Sequence, residues 1–279
     1  MKRKKTISNI IYHVLVCAFG LVMIYPLVWM VMSSFKDTNT IFTTATSLIP
    51  EKFTLQNYVN GWKGFAKVGF GTFFKNSLFI SITATIGTVL SSSVVAYGFA
   101  RCKFPGRKLL FAAMLASMML PAQVLMIPQY LWYQKLNWVG TNLPLIVPYC
   151  FAIQGFFVYM MTNFIEGIPR ELDEAAKIDG ANRWQLLKSV ILPMLMPTIT
   201  ICTFLTLTNG FKLFDQNLAL TGGNPGKMSE LLALNIYNTM YGTTGWQGVG
   251  QAKAVIFFII VAIIALAQNK ITTSKEVQD

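Results

Sequence analysis

Charge is scarce in this chain. Of its 279 residues, 12% are Asp, Glu, Lys or Arg, about half of the ~25% usual for a soluble domain, and long stretches carry none. Acid is the scarcer sign, 11 residues against 23 basic ones, which leaves a formal net charge of +12. Histidine is nearly absent. His13 stands alone near the start of the first apolar run, which argues against a zinc site or imidazole-based catalysis. The cysteines Cys17, Cys102, Cys150 and Cys202 are too far apart for a CxxC pair. Three fall in apolar runs and one in a basic loop, so they read as small apolar fillers rather than disulfides or metal ligands. No Ser/His/Asp set is present, and neither a metal site nor a catalytic residue is expected. There is no internal repeat and no low-complexity linker. With 54% apolar residues, disorder, a collagen-like repeat, a coiled coil and a small disulfide scaffold are excluded too.

What the chain has instead is apolar length. A helix crossing the hydrocarbon core needs about 20 mostly apolar residues. Six stretches qualify or nearly do: 11–32, 74–100, 109–129, 143–165, 190–212 and 252–268. The expectation is an all-α membrane protein of six transmembrane helices, a single domain over 1–279 with no soluble appendage. The last stretch is short, but Lys253 can snorkel and let it extend backward. Pro26, Pro121 and Pro128 are expected to kink or end helices. The start, Met1-Lys2-Arg3-Lys4-Lys5 followed by an apolar run, reads as an uncleaved first span. The run is longer than a signal h-region and has no small-x-small cleavage site behind it.

Lys and Arg concentrate in the N-terminal tail, the loop 101–108, the loop 166–188 and the C-terminal tail, and thin out over 33–76, 130–142 and 212–253. That bias places both termini in the cytoplasm. It also accounts for the net charge, because basic residues sit between apolar spans rather than on one soluble face. The lipid bilayer, not nucleic acid, is the expected partner. In the outside loop 33–76, Tyr58, Trp62, Phe65, Phe70, Phe73 and Phe74 interleave with Lys63, Lys67 and Lys75, the pattern of a segment lying at the membrane interface.

The most informative stretch is the cytoplasmic loop 166–189. Pro169 suits the first position of a helix. Glu171, Asp173 and Glu174 put negative charge in the first turns, where the helix dipole favours it. Gly180 is placed to end the helix in a left-handed conformation. This predicts a short surface helix of about two to three turns, followed by a second helix that starts near Asn182 and runs through Leu192-Pro193 into the fifth span. Leu172, Ala175, Ala176 and Asp179 share one face. The paired alanines leave little bulk, so a partner can approach the backbone closely. A helical loop resting on the protein's own spans is the plainer explanation for such a segment.

The order Glu174-Ala175-Ala176, three residues, Gly180, nine residues, Val190, one residue, Leu192-Pro193 resembles the EAA loop of bacterial ABC importer permeases, with Val190 where that family usually has Ile. Ser33-Ser34-Phe35-Lys36, Ala96-Tyr97-Gly98-Phe99-Ala100-Arg101, Met119-Leu120-Pro121 and Ile127-Pro128 extend the likeness along nearly the whole chain. They are similar to the carbohydrate-uptake branch and, within it, to the smaller permease of the maltose/maltodextrin type. The resemblance implies the type I ABC importer permease fold in a bacterial plasma membrane. It implies a second, homologous and non-identical permease subunit, two ABC ATPase subunits that hold ATP and Mg, and an extracellular or periplasmic solute-binding protein. The chain itself would carry no cofactor and catalyse nothing. It would pass a carbohydrate inward by alternating access. Glu174, Ala175, Ala176, Asp179, Gly180, Leu192 and Pro193 would form the coupling element that docks on the ATPase.

Two further segments are candidates. Asn209, Lys212, Asp215, Gln216 and Asn217 cluster at the end of the fifth span, where polar groups at membrane depth mark a pathway. Local i, i+3 pairing of Lys212 with Asp215 at the interface accounts for them equally well. Gly222-Gly223-Asn224-Pro225-Gly226-Lys227-Met228-Ser229 fails as a P-loop, which needs four residues between its glycines and Ser or Thr after Lys. A Gly/Pro-rich turn is the simpler reading, and the resemblance makes residues 222–226 the tip that faces the binding protein. Two other functions remain open: the same machine carrying glycerol phosphate or a polyol, and an ion-coupled secondary transporter. Against the latter, the six stretches contain no Asp or Glu, whereas proton coupling calls for intramembrane carboxylates.

Overall fold

The structure is a computed structural model that describes residues 2–38, 40–64, 68–224 and 226–274. It is largely helical over the expected spans, but several of those spans are broken. Helix α1 (Lys2–Ser33) holds Pro26 inside it. After the short α2 (Gln56–Lys63), α3 (Phe70–Arg101) runs unbroken for 32 residues. The third expected span is instead two helices, α4 (Arg107–Ser117) and α5 (Ala122–Lys135), bent by 105°. Pro121 stands at this break with an extended ψ of 135°, whereas Pro128 lies inside α5. Proline removes one backbone donor and restricts the residue before it, which favours a break at 117–121.

The fourth stretch is a single turn, α6 (Leu143–Ile146), then a 3₁₀ segment Val147–Phe151, then α7 (Gly155–Gly167). Ala152 between them has φ 53°. After α7 come the loop helices α8 (Arg170–Ile178) and α9 (Arg183–Leu186). A π-helical segment, Leu187–Ile191, leads into the single turn α10 (Leu192–Met194) and then α11 (Met196–Phe211). The chain bends by 75° before α11. Pro193 and Pro197 both lack the N–H that would bond one turn back, so the regular ladder fails here and widens into the π register. The expected smooth run from Asn182 into the fifth span is thus interrupted. Helices α12 (Asp215–Leu220), α13 (Leu232–Tyr241) and α14 (Gln247–Thr273) complete the chain.

The backbone divides into two compact units. The first comprises Met1–Phe70 and Ile236–Ile259. Its loop after α1 is held by buried polar groups. Lys36 Nζ donates to the Thr44 and Ser47 carbonyls at 2.7 and 2.5 Å, and Asn57 Nδ2 donates to the Ser34 and Lys36 carbonyls at 2.9 and 2.7 Å. Lys253 does not snorkel. It is 3% exposed, its Nζ bonds Thr239 Oγ1 at 2.9 Å, and it lies 5.4 Å from the centre of the Phe70 ring. Phe70 is buried too, so the expected interfacial aromatic segment is partly core. Trp62 is exposed, and Phe65 and Lys67 fall outside the described residues.

The second unit comprises Gly71–Asn235 and Ile260–Asp279. One core cluster joins α3, α7 and the segment 186–202 through Ala96, Ala100, Met161, Ile165, Ile191 and Leu195. Another gathers Ile80, Tyr133, Leu145, Leu220 and Leu231. Glycine lets elements of this unit approach closely. A Cβ on Gly87 would lie 2.7 Å from Cys150 Sγ, and one on Gly210 would lie 2.7 Å from Ser81 Oγ.

Candidate functional site

Three features of the second unit contain the candidate residues. The first is the loop helix α8. Ile168 is extended ahead of Pro169, as a residue before proline should be, and Glu171 and Asp173 occupy the first turn. The helix ends as expected at Gly180, with φ +81°. The Ala181 N–H bonds the Ala176 carbonyl at 2.9 Å, which is the six-to-one bond of a Schellman ending. Asn182 then caps α9. Its Oδ1 accepts from the Trp184 and Gln185 amides at 3.0 and 2.9 Å, while Gln185 Oε1 accepts from the Asn182 amide at 2.8 Å, a reciprocal capping box.

The two faces of α8 differ. Ala176 packs against the core cluster. Glu171, Leu172, Glu174, Ala175, Ile178, Asp179 and Gly180 are exposed. Ile178 is 86% exposed and Trp184, just beyond the turn, is 64% exposed. Sequence reasoning named the alanine face but missed these two side chains, although a large apolar residue in an otherwise polar, capped loop is the available signal. Leu192 packs against the core and Pro193 sits in the bent segment, so these two shape the loop from inside. Asp173 is also not a surface charge. It lies 3.0 Å from Arg101 Nε, at the end of α3, with side-chain exposures of 10% and 6%. Arg101 Nη2 also donates to the Ile168 carbonyl at 2.7 Å. A second pair, Arg107 with Glu166 at 2.8 Å, is more exposed.

The second feature is a cavity of about 320 Å³. Its wall contains Asn209, Lys212, Asp215 and Gln216, four of the five residues of the expected cluster, together with Ser81, Tyr149, Gln154, Phe157 and Thr206. No ion pair joins Lys212 to Asp215 among the described residues, so the local-pairing explanation is not the one found. A neighbouring hollow shares Tyr149, Gln154, Asp215 and Gln216. Amides, hydroxyls and aromatic faces lining one space suit a ligand with many hydroxyls and apolar ring faces. Tyr149 and Gln154 were not anticipated, although Gln154 is an amide inside an otherwise apolar run. Asn217 belongs elsewhere. It is fully buried, its Nδ2 donates to Thr221 Oγ1 and the Ser229 carbonyl at 2.8 Å each, and its Oδ1 accepts from the Leu231 amide at 3.0 Å.

The third feature is the turn that Asn217 closes. Gly222, Gly223, Gly226 and Lys227 have positive φ, a conformation that glycine adopts without the Cβ penalty. Gly222, Asn224 and Gly226 are exposed, whereas Gly223 is buried against Glu230. Pro225 lies outside the described residues. Asn76 Nδ2 bonds the Met228 and Glu230 carbonyls at 2.5 and 3.2 Å, tying the turn to the start of α3.

Residues 89–273 match the family described as binding-protein-dependent transport system inner membrane component. The diacetylchitobiose uptake system permease protein NgcG of Streptomyces coelicolor is 34% identical over 83% of this chain and 77% of its own length. The probable starch degradation products transport system permease protein AmyD of Thermoanaerobacterium thermosulfurigenes is 44% identical, over 48% of this chain and 46% of its own. A bacterial ABC transporter involved in the import of the acidic polysaccharide alginate superposes at a TM-score of 0.83, with 96% of this chain and 97% of that one covered, at 21% identity. That likeness speaks for the fold. The chain belongs to the family of binding-protein-dependent transport system inner membrane components, multi-pass permeases of ABC importers with the type I fold.

Proposed function

We propose that this permease passes a carbohydrate, and specifically an oligosaccharide, into the cytoplasm by alternating access. In this reading α8 docks on an ABC ATPase subunit through Glu174, Ala175, Ile178 and Asp179. A second, non-identical permease completes the pathway. ATP and Mg are held by the two ATPase subunits, and a solute-binding protein meets the turn at 222–226. Both termini lie on the ATPase side. The observation that carries the reading is the split character of α8, held inward through buried Asp173 and partly buried Ala176 and open through Ile178, Glu174 and Asp179. An exposed large apolar side chain on a short, rigidly capped helix fits a partner's cleft better than water. The cavity and the names of the relatives support the sugar. The chain holds no phosphate-binding loop of its own, which fits nucleotide handling by another subunit.

The test is reconstitution in proteoliposomes with the companion permease, ATPase subunits and binding protein. Uptake of maltotriose and diacetylchitobiose is compared with uptake of glycerol 3-phosphate. ATP-dependent uptake of an oligosaccharide is expected. Uptake of glycerol 3-phosphate alone would replace the sugar with the phosphate ester, and failure to recover any ATPase with the chain would remove the docking role.

A further inference from the structure

We infer that the buried Arg101–Asp173 pair is the positioning link that makes α3 move with the docking helix, so that α3 carries the ATPase's motion to the cavity wall. The inference rests on the docking role proposed for α8. Arg101 is the last residue of α3 and Asp173 lies in the first turn of α8. The two charges are 3.0 Å apart and almost wholly shielded from water. Arg101 Nη2 also donates to the Ile168 carbonyl at 2.7 Å, so one guanidinium is ion-paired to the helix and hydrogen-bonded to the residue that leads into it. Asp173 Oδ1 has no hydrogen-bond partner among the described residues, which makes Arg101 the main compensation for a buried carboxylate. A buried charge that loses its counter-charge is strongly disfavoured, and Arg101 is the counter-charge that Asp173 has among the described residues. Pulling α8 away from α3 is therefore costly, and moving the two together is not.

At its other end, α3 is part of the cavity. Ile80, Ser81 and Ala84 line it. From Ser81 to Arg101 the unbroken helix spans about 30 Å, at 1.5 Å per residue. Along that length α3 touches other parts of the wall without slack. Ser81 abuts Gly210, Gly87 abuts Cys150, and Ser91 Oγ bonds both the Tyr149 carbonyl at 3.3 Å and the Ala152 amide at 3.0 Å. Tyr149 and Gly210 are themselves cavity residues. Close-packed contacts transmit displacement rather than absorbing it. The helix thus connects the docking surface to the cavity as one rigid piece.

The experiment uses the assembled complex in proteoliposomes, with the four native cysteines replaced by alanine and Leu213→Cys as a reporter on the cavity wall. Labelling by fluorescein maleimide is timed with and without ATP, alongside ATPase recovery and ATP hydrolysis. With the link intact, ATP is expected to change the labelling rate by roughly fivefold or more, the lower range of allosteric coupling. With Asp173→Asn, the ATPase is expected to co-purify and hydrolyse ATP while the labelling rate no longer follows it. A merely structural role would lower the amount of complex and leave the ATP response intact, so a normal response in Asp173→Asn overturns the inference. If that variant does not accumulate, Arg101→Lys decides. It keeps the charge but cannot grip both Asp173 and Ile168, so an intermediate response supports the link and a normal response overturns it. Failure of both variants to insert would make the pair a folding contact and also overturn the inference. A complex that recovers no ATPase even with the pair intact would instead fault the docking assignment.

Discussion

Gly180 and Asn217 do different work with single side chains, or with the lack of one. Gly180 has φ +81° and nothing within 4 Å of where a Cβ would sit. Substitution there is therefore opposed by backbone strain alone, about 1–2 kcal/mol for an L-residue in the left-handed region. Gly180→Ala should leave ATPase recovery measurably reduced but present. Gly180→Pro, whose ring demands φ near −65°, should abolish recovery while the protein remains inserted. Equal recovery for both variants would show that the left-handed turn is not needed for docking. Asn217→Ala strips the side-chain partner from the buried Ser229 carbonyl and Leu231 amide, at about 1–3 kcal/mol for each buried group left unpaired, while Thr221 Oγ1 keeps its bonds to the Asn217 carbonyl and the Gly223 amide. A lower melting temperature in detergent and faster proteolysis within 221–229 are expected, and an unchanged melting temperature would mean that water satisfies those groups instead. Gly180 was legible in the sequence because a helix-ending glycine is a local signal. The burial of Asp173 was not. An acid in a first turn obeys the dipole rule whether or not it faces solvent, and its partner Arg101 lies far away in the chain.

Helices were easier to foresee than their breaks. Apolar length pointed to helices, because it measures transfer out of water, and the described residues hold four long enough to cross a membrane, or six if each bent pair is one span. Length carries no information about direction, and the 105° and 75° bends in the third and fifth stretches follow from prolines whose local consequences depend on what can take up the freed carbonyls. The contacts of α3 were equally hidden, since a glycine in an apolar run does not name the group it faces. They yield a contrast that can be measured. A Cβ at position 87 would meet Cys150 mainly through Sγ, at 2.7 Å, with Cα at 3.3 Å. A Cβ at position 210 would meet Ser81 Oγ at 2.7 Å but also its Cβ at 2.9 Å and Cα at 3.1 Å. Overpacking of this kind costs about 1–3 kcal/mol. Both Gly87→Ala and Gly210→Ala should therefore lower thermal stability in detergent. Adding Cys150→Ala should restore much of the first loss, whereas adding Ser81→Ala should restore little of the second, because the Ser81 backbone stays in the way. Equal rescue at both sites would show that α3 and α11 move apart easily.

The molecule as a whole contains cavity-lining polar groups without a row of carboxylates in its apolar stretches, and this bears on what can drive it. The six apolar stretches hold no Asp or Glu. Glu166, at the end of α7, is engaged by Arg107, and Asp173 lies in the loop helix, paired with Arg101. Asp215 is the remaining carboxylate beside the cavity, and Lys212 lines the same wall. An ion-coupled carrier must bind and release its proton or sodium at groups reached from both sides of the membrane, and a single carboxylate sharing its wall with a fixed cation is a poor site for that cycle. In the proposed reading the driving force comes through α8, which combines an open apolar anchor with a buried ion pair to α3. Proteoliposomes containing the full complex should accumulate maltotriose when ATP is enclosed with the ATPase subunits, and a protonophore or sodium ionophore should leave the initial rate unchanged. Asp215→Asn should preserve that dependence on ATP even if it lowers the rate, because Asp215 lines the cavity and lies outside the proposed docking helix. Uptake that persisted without ATP, or that fell with the ion gradient while ATP was held constant, would move the energy source from the docking helix to the cavity.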